Sequence, residues 1–425
     1  MYNFALAFVI CAILYLLGDV VSNLTKAWVP SVFVTAVLIL VGYWTIFPKT
    51  LVSDSVLIPF GSTIGIYLLI SHMGTVISIA QLIEQWKTIV ICLAGLAGMC
   101  ALSLLILPNI IGMDLVMSGL PPLTGGIVAA TTMQSAAQAA SDAAAAAGDT
   151  AAAAAFAEAA VFAIVMYCVQ GFAGYPLTAV CLQLEGKAYL KKYRAGEIKA
   201  VKADENLDAE SGNFKSVEKK EAKKKKLIPE VPAHWNSAVL ILGKLGVCAW
   251  LATQFGTIQF PGIGAISGAV WALVFGVILT TIGFLDENAL NKANSYGIIM
   301  FALMMYVFDG LKDCTPDMLV QIIGPMLLLV VVGVLGMAIL VFVFSKVLKT
   351  SFLLSFATAL TALYGFPPNA IITENTCKAL AQNEEEKEAL MGHMFAPMIV
   401  GGFTTVTITS VIIAGLFAGY FTYVG

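Results

Sequence analysis

Residues 364–375 read YGFPPNAIITEN. The consecutive prolines Pro367 and Pro368 remove two backbone donors and stop a helix arriving from the N-terminal side. Pro368 suits the first position of a new helix, where a missing N–H costs nothing. The N–H groups of Asn369, Ala370 and Ile371 would then point out of a helix end carrying about half a positive charge, and such an end is a ready anion site. Carbonyl groups freed by the prolines, together with the hydroxyls and amides of Thr132, Gln134, Ser135 and Gln138, supply the complementary chemistry, because oxygen ligands suit a small hard cation. One short stretch thus offers partial charges of both signs.

The surroundings make that stretch unusual. The 425 residues are 59% hydrophobic and only 12% charged, with mean hydropathy +0.90. A soluble domain carries roughly 25% charged residues, so the composition specifies a polytopic membrane protein. Apolar segments of spanning length recur at about 2–19, 28–47, 56–83, 88–112, 156–184, 236–256, 260–284, 293–311, 318–348 and 391–424. A crossing helix needs about 20 residues, open strands cannot satisfy their backbones in lipid, and the alternation of a barrel is missing. The expected fold is all-α with ten spans. No Lys or Arg precedes Lys26, and no small-residue cleavage pattern follows, so the first segment reads as a span and not a signal peptide. The eight cysteines are scattered without a C-x-x-C pair, and His72, His234 and His393 lie far apart. Free core thiols are expected in place of a metal site or a disulfide framework.

Residues 186–235 form the long polar stretch, rich in Lys and Glu, and read as a solvated cytoplasmic linker. Its KKEAKKKK run points to anionic lipid rather than to nucleic acid. Five spans on each side then place both termini outside the cell. Lys26, Lys87, Lys292, Lys346, Lys349, Lys378 and Lys387 fall inside, and Lys49 and Lys312 outside, as the positive-inside rule requires. The halves 1–185 and 236–425 repeat: STIGI at 62–66 aligns with NSYGI at 294–298, an offset of 232. Since each half crosses an odd number of times, the copies are inverted, the signature of secondary transporters.

Segments 118–145 and 352–376 are apolar, yet as full crossings they would spoil this sidedness. Each is expected to be a re-entrant hairpin, the first entering from outside and the second from the cytoplasm. The offset sets Tyr364 to Ala370 against Thr132 to Gln138, so both polar clusters fall at hairpin tips near the midplane, where non-helical backbone is tolerated only inside protein or a watery cavity. The candidate substrate residues are Thr132, Gln134, Ser135, Gln138, Gly365, Pro367, Pro368, Asn369 and Ala370, with Lys244 as a counter-charge for a carboxylate. Ser62, Thr63, Thr131, Ser295 and Tyr364 are candidate sodium ligands.

Plainer readings stand beside these. Prolines in membrane helices also make simple kinks. Ser62, Thr63 and Ser295 can bond their own helix backbones. Glu374 can pair with Lys378, four positions on, and Lys244 can snorkel or pair internally. His72 reads as a buried, hydrogen-bonded neutral histidine. The tract 136–160 holds 17 alanines in 25 residues and is expected to pack helices closely; Asp142, Asp149 and Glu158 within it read as solvated charges. The chain's sole arginine is Arg194, in the linker, so no guanidinium is available in the membrane to clamp an anion.

FGSTIGIYLLI at 60–70, PLTGGIVAATT at 122–132, GFAGYPLTAV at 171–180, GFPPNAIITENTCKAL at 365–380 and FAPMIVGGF at 395–403 resemble the bacterial sodium/glutamate symporter family. That resemblance implies two inverted five-span repeats with re-entrant hairpins, the fold also seen in sodium/citrate carriers. It also implies sodium-coupled uptake of glutamate or a similar small carboxylate by a homodimeric elevator in the bacterial inner membrane. The family's first tip is glycine-rich with a histidine, whereas SAAQAA at 135–140 stands at the position the offset assigns to it. The competing reading is a sodium/proton exchanger or a proton-coupled carrier of another organic acid. Exchangers usually need a membrane-buried carboxylate, and Asp19 and Asp309 fall near span ends. No intramembrane H-E-x-x-H or paired aspartates suggest an enzyme.

Overall fold

The structure is a computed structural model and describes residues 3–25, 29, 31–76, 83–198, 227–229, 231–232, 235–260, 264–265, 268–365 and 368–423. Among the described residues fourteen main helices follow one another, and the order of element types in the first seven recurs in the second seven. The first set is α1 (Phe4–Leu24), α2 (Ser31–Thr45), α3 (Leu57–Val76), α4 (Trp86–Ile106), α5 (Met113–Thr124), α6 (Ile127–Ala146) and α7 (Thr150–Arg194). The second is α8 (Ala238–Phe255), α9 (Gly268–Ile282), α10 (Tyr296–Asp309), α11 (Pro316–Leu348), α12 (Phe352–Leu360), α13 (Pro368–Leu380) and α14 (Glu384–Ala418). A two-residue antiparallel ladder pairs Gln259 with Ala265 and Phe260 with Gly264 between α8 and α9.

Polar residues set the starts of the long helices. Asp149 accepts from the Ala152 N–H at 3.0 Å, Ser237 from Leu240, Thr315 from Met318 and Asn383 from Glu386. Each satisfies a donor that has no partner within its own helix. Between the caps, α1, α3, α4, α7, α8, α11 and α14 are long and apolar enough to cross a membrane, and α2, α9, α10 and α12 (with the 3₁₀ turn that follows it, to Leu363) are shorter apolar helices. All but α12 overlap the ten apolar segments of the sequence, and the chain is a multi-pass membrane protein. Several boundaries differ: α9 begins at Gly268 rather than 260, α14 at Glu384 rather than 391, and α7 runs from Thr150 to Arg194, so this helix extends past residue 185. Arg194 is accordingly helical, and its Nε meets Glu386 at 2.7 Å. Most of the linker, with Lys26 and His234, lies outside the described residues.

The two broken pairs return to the side they leave. In the second, Ser351 Oγ at the start of α12 donates to Glu185 Oε2. Leu380, the last residue of α13, packs on Gly186 so closely that a β-carbon there would lie 2.6 Å from Leu380 Cδ1. The pair therefore begins and ends on adjacent residues of α7, near its linker end. In the first pair, Asp114 at the start of α5 accepts from Tyr420 Oη at 2.8 Å, and Asp149, just after α6, from Tyr423 Oη at 3.5 Å. Both ends of that hairpin meet the last residues described. The length of α14 separates this end from the linker end, where His393 Nε2 lies 2.9 Å from Glu185 Oε1. The hairpins thus open in opposite directions.

Their registration departs from the 232-residue offset. The first break is at Gly125 and Gly126, both with positive φ (133° and 86°), and not at Thr132 to Gln138. Its hairpin spans Met113 to Ala146, wider than 118–145, and the second reaches Leu380, beyond 376. SAAQAA at 135–140 lies in the interior of α6. The alanine tract is divided between the end of α6 and the start of α7, with Gly148 (φ 83°) at the turn. Ala137 and Ala140 pack with Ala159, Ala160 and Ala163 against Phe421, the close approach that small side chains permit.

Candidate functional site

The tips converge on a third irregular segment, the π-helical turn Phe403–Thr409 within α14. A β-carbon on Gly125 would lie 3.0 Å from Val406 Cα and 3.1 Å from Ala362 O. One on Gly126 would lie 2.9 Å from Val406 O, and one on Gly365 3.3 Å from Val406 Cγ2. Gly365 takes φ 67°, which glycine adopts without penalty. Each irregularity has a local cause. Pro121 and Pro122 precede the first break, and a 3₁₀ turn, Thr361–Leu363, closes α12 before the second.

The surroundings of Val406 are rich in hydroxyl groups. Thr361 Oγ1 donates to Thr358 O at 2.5 Å and lies 3.4 Å from Thr405 Oγ1. Thr405 Oγ1 also donates to Gly401 O at 2.9 Å, and Ser410 Oγ to Val406 O. Thr404 Oγ1, within the turn, is buried with no hydrogen-bond partner among the described residues, while Tyr364 Oη and Thr178 Oγ1 interact with each other. Buried polar atoms are normally paired, so the Thr404 hydroxyl is open to a ligand. The donors are neutral oxygens. Among the described residues no group of three or more His, Cys, Asp or Glu side chains stands together.

Of the expected site residues, Gly365 and Tyr364 are at the second tip, and Pro368 is the first residue of α13 as anticipated. Pro367 lies outside the described residues. Asn369 is fully buried but internally engaged: Nδ2 donates to Met398 O at 2.9 Å, and Oδ1 accepts from the Ala370 N–H at 2.8 Å. The Asn369 N–H itself reaches Gly365 O at 3.2 Å. Two of the three N–H groups expected to hold an anion are therefore used within the tip.

The expected partners in the first hairpin are displaced. Thr131 Oγ1 donates to Ile127 O and Val128 O of its own helix. Thr132, Gln134, Ser135 and Gln138 follow down α6, away from the glycine break. Gln134 packs on Gly310, Ser135 Oγ lies 2.9 Å from Tyr306 Oη, and Gln138 donates to Asp142 at 2.9 Å. The offset of 232 came from STIGI and NSYGI, outside the hairpins, whereas the glycine pair sets the register of the tips.

The remaining candidates are elsewhere. Lys244 Nζ is 3.0 Å from Asp286 Oδ2, and Asn236 Nδ2 donates to the other oxygen at 2.9 Å. Burial alone would raise the Asp286 carboxyl, but these hydrogen bonds outweigh it and hold the group below its ordinary range. Ser62 and Thr63 lie in a π turn, Phe60–Gly65 of α3, packed on α10 through Gly61 and Ala302; the side chain of Thr63 is outside the described set. Ser295 Oγ donates to Ala293 O. His72 is buried, with Nδ1 accepting from the Leu290 N–H at 3.2 Å, and Glu374 pairs with Lys378.

What the sequence reading passed over is the glycine pair Gly125–Gly126 and the threonine-rich turn around Val406. Both had a signal: a proline pair followed by a glycine pair, and FTTVTIT inside an apolar span.

No protein-family model matches the chain, and no curated protein sequence does. Among solved structures it is similar to the sodium proton antiporter MjNhaP1 from Methanocaldococcus jannaschii at pH 8, with 16% identity over 99% of this chain and 98% of that one. The TM-score is 0.40, a likeness too slight to argue from.

Proposed function

We propose that the chain is a secondary active transporter coupled to sodium, with the ion held where the hairpin tips meet Val406. The observation that carries this reading is that Gly125, Gly126 and Gly365, from hairpins opening in opposite directions, all face one π turn lined by threonines. Broken helices at such a point supply backbone carbonyls to a cation. Thr361, Thr404 and Thr405, with the carbonyls of Ala362 and Val406, form the oxygen set that a hard monovalent ion requires. Alternating access then consists of the hairpins and α14 moving as a unit past the remaining helices, in an elevator manner and in a homodimer. The chain would lie in a bacterial inner membrane with both termini outside.

Glutamate or a similar small carboxylate is the solute suggested by the family resemblance. A second reading, sodium/proton exchange, is favoured by a specific finding: the Asn369 and Ala370 N–H groups and Lys244 are all engaged internally. Proteoliposomes separate the two. Labelled glutamate accumulating only under an inward sodium gradient supports symport. A sodium-driven change of internal pH without solute supports exchange. Thr361→Val with Thr405→Val should raise the sodium concentration for half-maximal flux about tenfold; unchanged sodium dependence would remove the ion from this place.

A further inference from the structure

One helix, α7, lies against both hairpins. Towards its start, Ser118 Oγ of α5 donates to Ala159 O, and a β-carbon on Gly119 would lie 2.4 Å from Phe162 Cε1. Ala159 and Ala163 pack there with Ala129 and Met133 of α6. Farther along, a β-carbon on Gly174 would lie 2.5 Å from Leu363 Cβ and 2.8 Å from Tyr364 Cδ1, at the second tip.

Gln170 falls between these two sets of contacts. Residues 159, 163, 166, 170 and 174 recur at intervals of four and three, so they share one face of the helix, and all are buried. That face carries the contacts to both hairpins and directs Gln170 towards them. Its depth follows from either side. Helices α5 and α7 start at the same end of the molecule, and Gly125 lies about 9 Å of helix beyond Gly119, Gln170 about 12 Å beyond Phe162. From the second hairpin, Gln170 is one turn from Gly174, whose N–H donates to Gln170 O at 3.1 Å. Both routes reach the junction of the tips, where a β-carbon on Gly125 would meet Ala362 O at 3.1 Å.

The side chain at this junction is unusual. Gln170 is 2% exposed, yet its Oε1 has no hydrogen-bond partner among the described residues. A buried amide left unpaired costs free energy that an apolar side chain of equal size avoids. The helix is also irregular here: its two stretches, Thr150–Val169 and Gly171–Arg194, join at Gln170. The Ala173 N–H reaches Gln170 O at 3.1 Å, a 3₁₀ bond of the kind that marks functional positions within long helices.

We infer that Gln170 is a further ligand of the ion at the tips, its amide oxygen joining the hydroxyls and carbonyls around Val406. The inference rests on the sodium reading above and adds to it a residue from outside both hairpins and the turn. An amide oxygen is a neutral hard donor, as the threonine hydroxyls are.

The test is thermal unfolding of the full chain in detergent, in sodium chloride against equimolar choline chloride. An ion that binds the folded chain raises its melting temperature. Gln170→Met keeps the length of the side chain and removes the amide. In choline it should melt at or above the parent temperature, because the unpaired group is gone. The sodium concentration giving half of the rise should increase about tenfold or more. Gln170→Glu keeps an oxygen at the same place and should retain the rise. An unaltered sodium response in Gln170→Met overturns the inference and assigns the amide to a bound water. Loss of the response in both variants also overturns it, since shape and not oxygen would then decide. Thr361→Val with Thr405→Val, measured alongside, tells two failures apart. A rise lost in the threonine variant but kept in Gln170→Met removes Gln170 alone, and no rise in the parent chain removes the ion from the tips.

Discussion

Gly98 of α4 and Gly336 of α11 touch reciprocally: a β-carbon on either would lie 2.3 Å from the carbonyl oxygen of the other. The two helices hold the same place in their respective halves, and a mutual contact of this type is what a two-fold axis relating inverted repeats produces. Without a hydrophobic force between helices in lipid, close backbone approach through small residues supplies the packing. Gly98→Ala or Gly336→Ala forces the helices apart and should destabilise the protein by about 3 kcal/mol, read as a fall in thermal unfolding temperature in detergent. An unchanged melting curve would show that this contact is not formed.

Gly125→Ala meets two obstacles, a φ of 133° and contact with Val406 and Ala362. Gly148→Ala meets only the first, with φ 83° and nothing within 4 Å. The Gly148 variant should lose about 1 kcal/mol and retain flux. The Gly125 variant should lose flux in proteoliposomes at least tenfold, since the added carbon occupies the space between the tips. Equal behaviour of the two would separate Gly125 from the site.

Asn369→Leu removes the bond to Met398 O and the acceptor for the Ala370 N–H. The expected loss is about 1–3 kcal/mol of stability, with impaired assembly of the second tip. The sequence offers Asn369 as a substrate ligand; the internal bonds make stability the primary readout. Gln134→Ala, on α6 and away from the tip, should leave sodium dependence unchanged.

Asp286 has a folded pKa below its ordinary value, so its contribution is present above the unfolded carboxylate range and is lost as pH falls through the folded value. Asp286→Asn should therefore destabilise the protein at pH 7 by about 1–3 kcal/mol. The gap to the parent chain should narrow below about pH 4. Thermal unfolding of both proteins across pH 3–8 gives the comparison; a gap that widens towards acid contradicts the assigned pairing with Lys244.

Composition and segment length determined much of this protein. Low charge over 425 residues left only membrane spans, and the apolar runs placed the helices, whose starts the structure fixes at the caps Asp149, Ser237, Thr315 and Asn383, because helix starts need local acceptors. The proline pair at Pro367–Pro368 marked the second break for the same local reason: a missing N–H and a steric clash are properties of the chain itself. The tertiary structure decided what depends on neighbours. It aligned Gly125–Gly126, rather than Thr132 to Gln138, with the second tip, because only glycine tolerates both the positive φ and the approach of Val406. It also decided that Lys244, Asn369 and Ala370 are engaged with partners, since a hydrogen-bonding group distant in sequence satisfies a buried polar atom as well as a ligand does.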